Sequence, residues 1–187
     1  MEPYVKHTDM LGMMESPDRS IIRRMEDIAH LCADAQTAQK LVESGNPVIY
    51  EMLEAHVPET PGEIAFCTTR MYPGLIGNEY YMTKGHFHVD MSTAEIYYTY
   101  SGHGVLLAET KDKQTKLIDM PKGSIVHVEP GWAHRTYNIG DEPLVFLAAY
   151  PATAGHDYST IEKDGFSHTV IKGEKGPELV PSPRFRA

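Results

Sequence analysis

The spacing of apolar and polar positions divides the chain into two regimes. From Asp18 or Ser20 the run IIRRMEDIAHLCADAQTAQKLVES places Ile21, Met25, Ile28, Cys32 and Ala35 three or four residues apart. That is the period of a helix with one buried face. Gly45 and Pro47 are its stop signals, and the acidic Glu26 and Asp27 fall on its solvated side. After it the pattern shortens. PVIYEMLEAHV, EIAFCTTRMYP, EYYMTKGHFHV, EIYYTYSG, GVLLAET, TKLIDM, SIVHVEP and PLVFLAAYP are each of strand length and bounded by Gly, Pro, Asn or Asp. FSHTVIK adds a further strand, and the proline-rich KGPELVPSPRFRA reads as a surface tail. Short strands at this spacing predict a sandwich or barrel. The expected fold is therefore mainly all-β, one domain over 1–187: an arm and helix to residue 46, a barrel over 47–172 and a tail from 173.

Composition adds exclusions. At 41% hydrophobic and 23% charged residues the chain is ordinary for a globular protein. No apolar run approaches the roughly 20 residues of a membrane span. The opening MEPYVKHTDMLGMMESPDR lacks the layout of a signal peptide, so a cytoplasmic location is expected. A net charge of −9 argues against nucleic acid as a partner; an anionic substrate would need a locally positive site. Cys32 and Cys67 read as reduced packing residues.

The candidate chemistry is concentrated in KGHFHVDMSTAEIYY, Lys84 to Tyr98. In a strand, residues i and i+2 share a face, which puts His86, His88 and Lys84 together and Thr83 on the opposite face unless the strand is bulged near Gly85. Glu95 opens the next strand, with Tyr97 on its face. Two imidazoles and a carboxylate are ordinary ligands of a first-row metal. PGWAHRTYN supplies His134 just after a Pro-Gly turn; taken alone, it reads as a packed or solvated histidine. Thr68, Thr69, Thr83 and the N–H of Gly85 are candidate donors to a bound anion, since a glycine lets backbone approach an anion closely. Tyr50 and Tyr97 are candidates for hydrogen bonds to a bound ligand or for simple core packing, and Trp132 reads as packing the corner beside His134.

The combined spacing resembles the cupin family of small β-barrels. His86, His88, Glu95 and Gly102 follow its first motif, and Gly123, Gly131, His134 and Asn138 its second. There are departures: Tyr80 replaces a glycine, Glu129 precedes the proline, and the gap before Glu95 is long. TKGHFH, AEIYY, GWAHRTYNIGDEP and AAYPATAGHDYSTI further resemble the archaeal-type phosphoglucose isomerase, from Pro47 to about Val170. The resemblance implies a metal site of His86, His88, Glu95 and His134, with Fe2+ favoured and Zn2+, Mn2+ or Ni2+ as alternatives. It implies phosphate contacts from Thr69, Thr83, Gly85 and Tyr150. Glu95 would be the catalytic base of a cis-enediol route, with Tyr97 beside it, and His156 and Tyr158 would close the sugar-binding mouth, His156 moving protons between hydroxyls. A hydride shift is the competing route. Other readings of the same ligands are a non-haem iron dioxygenase and a non-catalytic sugar-phosphate-binding cupin. The resemblance also implies a homodimer, with which exposed Tyr4, Val5, Leu11, Met13 and Met14 are compatible.

Overall fold

The computed structural model describes residues 2–186; Met1 and Ala187, the outer ends of the expected arm and tail, lie outside the described residues. The chain forms β1 (Arg19–Arg24), α1 (Met25–Ile28), a 3-10 turn (Ala29–Leu31), α2 (Ala35–Glu43), β2 (Val48–Glu54), β3 (Ile64–Met71), β4 (Leu75–Ile76) and β5 (Glu79–Tyr80). There follow β6 (Glu95–Ser101), β7 (His103–Thr110), β8 (Thr115–Pro121), β9 (Ile125–Val128), β10 (Trp132–Asn138), β11 (Leu144–Pro151), α3 (Tyr158–Asp164), β12 (His168–Gly173) and β13 (Gly176–Pro181).

The expected β-rich fold forms. A six-stranded sheet in the order β1-β2-β3-β11-β6-β9 makes one wall and β10-β7-β8 the facing wall. A smaller sheet, β13-β12-β5-β4, covers the remaining side. Alternation along β3 turns Cys67 and Thr69 toward the cavity between the walls and Thr68 outward. Tyr97 on β6 meets His134 on β10 across the interior, ring centroids 5.8 Å apart. Met71, Leu106, Tyr137 and Leu144 are fully buried in the core.

The long helix expected from residue 20 to 45 does not form. Its first third is β1, paired antiparallel with β2 so that Ile21 faces Met52 and Arg23 faces Tyr50. Ile21 and Met25 fit a helical period, but RSIIRR alternates equally well, and pairing to a sheet edge decides between the two. Cys32 then turns extended (φ −75°, ψ 147°). Helix begins again only where the Asp34 carboxylate accepts from Thr37 N–H at 2.9 Å, a regular N-cap.

Two further expectations are corrected. The tail is a strand: β13 returns along β12 from His168↔Pro181 to Gly173↔Gly176. Its prolines are tolerated because β13 is an edge strand. Met13 and Met14, read as exposed, are buried, because the N-terminal arm lies across the outer face of the six-stranded sheet. There Met14 N–H donates to Thr68 Oγ1 at 2.8 Å and Tyr4 stacks on Phe66. Tyr4, Val5 and Leu11 do remain exposed.

Candidate metal centre and its cavity

The segment expected as one strand, EYYMTKGHFHV, is regular only at β5. Beyond it the backbone makes single bridges, Met82↔Tyr137 and His86↔His134 to β10, and Phe87↔Asp157. The break falls at Gly85, whose φ is +74°. A side chain there would be strained and its Cβ would lie 2.7 Å from the Phe166 ring. Arg135 holds the turn from below: Nη2 and Nε donate to the Lys84 carbonyl at 2.6 and 3.1 Å. The turn removes the conflict posed by strict alternation, since Thr83 lines the same cavity as His86.

His86, His88, Glu95 and His134 each bring one ligand atom to a common point, all within 4.8 Å of one another. Glu95 Oε2 lies 3.0 Å from Nε2 of His88 and 3.0 Å from Nε2 of His134. The other ring nitrogens define the tautomers. His134 Nδ1 faces the Trp132 carbonyl at 3.3 Å, and His88 Nδ1 faces the Thr93 carbonyl at 3.2 Å and Thr93 Oγ1 at 2.8 Å. A carbonyl only accepts, so these nitrogens carry the ring protons and the Nε2 lone pairs point inward. Two such lone pairs aimed at one carboxylate oxygen repel unless a cation sits among them. Among the described residues, Nε2 of His86 and of His134 are buried with no hydrogen-bond partner. By donor type, by orphaned atoms and by anchored outer nitrogens, the four residues fit a divalent metal ion.

The electrostatics follow from burial. Burial alone would raise the Glu95 pKa, but positive charge placed among His134, His88 and His86 outweighs it and holds the carboxyl below the usual range. Burial, reinforced by His134, keeps His86 neutral. Burial and the adjacent Glu95 raise the Tyr97 phenol, and burial lowers His156.

Above this cluster lies a cavity of about 220 Å3. Its wall includes Glu95, Tyr97, His86 and His134, and also Tyr50, Thr69, Thr83, Gly85, Tyr150, His156 and Tyr158. His156 stands edge-on to His86 at 4.5 Å and stacks on Tyr158 at 5.9 Å. Both sit at the head of α3, a helix that the strand pattern did not anticipate; Asp157 caps it through Thr160. Thr68 is the candidate that the structure leaves out. It is on the outer face of β3, engaged by Met14, because neighbouring strand residues point to opposite sides. Lys84 lines the cavity and pairs with Glu162 of α3 at 3.4 Å. Cys67, a buried free thiol, also lines the wall. Sequence reasoning missed Arg19, Arg23 and Glu54, which reach the cavity from β1 and β2. Once RSIIRR is read with period two, the alternation of Arg19, Ile21 and Arg23 would have signalled them.

The family model for Glucose-6-phosphate isomerase (GPI) matches residues 22–180. The chain belongs to the glucose-6-phosphate isomerase family. A Glucose-6-phosphate isomerase of Thermococcus litoralis is 43% identical over 99% of this chain and 97% of its own. That of Pyrococcus furiosus is 42% identical over 99% and 98%, and that of Sinorhizobium medicae 36% identical over 99% and 88%. A solved oxalate decarboxylase overlays with a TM-score of 0.44 at 23% identity, covering 57% of this chain and 26% of its own. Membership of the glucose-6-phosphate isomerase family sets aside the dioxygenase and non-catalytic readings of the same four ligands.

Proposed function

We infer that this chain interconverts glucose 6-phosphate and fructose 6-phosphate, with one divalent metal ion, Fe2+ favoured, held by His86, His88, Glu95 and His134. The observation that carries the reading is a buried carboxylate set among three imidazoles on the wall of a hydroxyl-lined cavity. An aldose–ketose isomerisation needs a base at C1 and C2 and a counter-charge for the oxygens between which the carbonyl migrates. Bound there, the cation supplies Lewis acidity toward those oxygens.

The rest of the step belongs to side chains. Glu95 Oε2 is the oxygen turned to the imidazoles, so Oε1 takes the proton from C2 of the open-chain aldose. The C2–H electrons become the C1–C2 double bond and the C1 carbonyl oxygen takes the negative charge, a cis-enediolate. The O2 proton passes to O1, C1 recovers the abstracted proton from Glu95, and O2 becomes the ketose carbonyl. His156, neutral because burial lowers its pKa, relays the proton from O2 to O1. Tyr97 lies against Glu95 and steadies it, and Thr69, Thr83, Gly85 and Tyr150 hold the phosphate end, with Tyr50 and Tyr158 on the sugar. Positive charge around Glu95 favours its ionised form but makes it a weak base, and that is the point at which a hydride shift competes.

A coupled assay with fructose 6-phosphate tests the activity. Turnover in D2O tests the route: enediol chemistry introduces deuterium at the migrating position. Complete retention of substrate hydrogen at every temperature tried would assign the step to a hydride shift. The reading places the enzyme in glycolysis and gluconeogenesis, in the cytoplasm, as a homodimer; sedimentation of the purified protein checks the last.

A further inference from the structure

A dianionic substrate in a protein of net charge −9 needs fixed positive charge in its cavity, and three cations reach the wall: Arg19, Arg23 and Lys84. Two are committed. Arg19 Nη1 pairs with Glu54 at 3.4 Å, and Lys84 Nζ with Glu162 at 3.4 Å. Arg23 has one carboxylate neighbour among the described residues, Asp27 at 4.0 Å, and Oδ2 of that carboxyl already accepts from Arg24 N–H at 2.8 Å. Strand alternation brings Arg23 inward beside Tyr50, its register partner on β2. Arg23 therefore lines the same cavity as Thr83 and the Lys84–Gly85 turn. Convergent N–H and O–H donors around a guanidinium are the usual surroundings of a bound phosphate.

We propose that Arg23 binds the phosphate of the sugar substrate and determines the preference for phosphorylated over neutral sugars. The proposal rests on the isomerase reading above. Arg23 is a binding residue, not a proton-transfer group, so its loss is read in affinity.

The test compares wild type with Arg23→Met and Arg23→Lys, and with Arg24→Gln, which removes the neighbouring, outward-facing charge. Arg23→Met is expected to raise KM for fructose 6-phosphate about 30-fold with kcat changed less than about threefold, the loss of one charged hydrogen-bonding group. The Ki of inorganic phosphate as a competitive inhibitor rises in parallel. Arg23→Lys recovers part of both, since it keeps the charge without the planar fork, and it serves where Arg23→Met fails to fold. Arg24→Gln leaves both within about twofold. Unchanged KM and Ki in both Arg23 variants, or a fall in kcat alone, would overturn the proposal and leave the isomerase reading standing. A wild type that fails to turn over fructose 6-phosphate, yet binds inorganic phosphate in calorimetry with an Arg23-dependent affinity, would overturn the isomerase reading and keep the anion site.

Discussion

Thr93 spends its single hydroxyl proton on the Asp90 carbonyl, 2.7 Å away, and that leaves its oxygen to accept from His88 Nδ1 at 2.8 Å. The consequence is chemical: with Nδ1 protonated, Nε2 of His88 is free to ligate a cation. A hydroxyl in a turn between two strands looks like any other turn residue, and nothing in VDMSTA distinguished Thr93 from Ser92. Thr93→Val is expected to weaken metal affinity about tenfold, the usual effect of removing an outer-shell partner, while Thr93→Ser restores it. Titration of the metal-free protein with a divalent cation reads this directly; equal affinities in wild type and Thr93→Val would show that the backbone carbonyl at 3.2 Å suffices. The ligands themselves were more legible, because His-x-His and Glu95 carry their chemistry in residue type and spacing. Arg23 was hidden by a wrong period, not by a wrong residue type.

Elements explain where the reading of the sequence stops. The long strands β3, β6, β7 and β11 were legible because each alternates or runs apolar between clear turn signals. β1 was not, since consecutive isoleucines satisfy a helical and an extended period alike, and only pairing with β2 settles it. The segment after β5 was read as one strand although it contains the bend that delivers His86 and Thr83 to one cavity. Gly85 makes that bend at φ +74° with His134 O and Arg135 Cβ 3.0 Å from where a Cβ would be. Gly85→Ala is therefore expected to lower stability by about 1–3 kcal/mol and, by displacing His86, to reduce kcat/KM by at least about tenfold. Gly123 is the internal control: its φ is +84° but nothing lies within 4 Å of its Cβ position. Gly123→Ala bears backbone strain alone and keeps full kcat/KM. Urea midpoints and steady-state kinetics of the two variants separate strain from misplacement. Equal activities would mean that the bend positions no catalytic group.

At the scale of the whole molecule, the metal cluster joins parts of the chain that have little else in common. Glu95 belongs to the six-stranded sheet, His134 to the facing sheet, and His86 and His88 to the irregular segment between β5 and β6. A cation bound by all four ties the two walls together at the point where lone pairs would otherwise oppose each other. The bound state should then be a stability determinant as well as a catalytic requirement. A ligand that binds only the folded state stabilises it by RT ln(1 + [L]/Kd), about 2.7 kcal/mol at a hundredfold excess over Kd. For a chain of this length that corresponds to roughly 5–10 °C in Tm. Exhaustive chelation is expected to lower Tm by this amount and to abolish isomerase activity, and add-back of a divalent cation to restore both. His134→Ala should show the low Tm without chelator and no response to added cation. The metal that restores most activity per equivalent bound identifies the native ion, with Fe2+ expected ahead of Zn2+, Mn2+ and Ni2+. If Tm is unmoved by chelation while activity is lost, the cation serves the chemistry alone, and the walls are held together by the core around Met71, Leu106 and Tyr137.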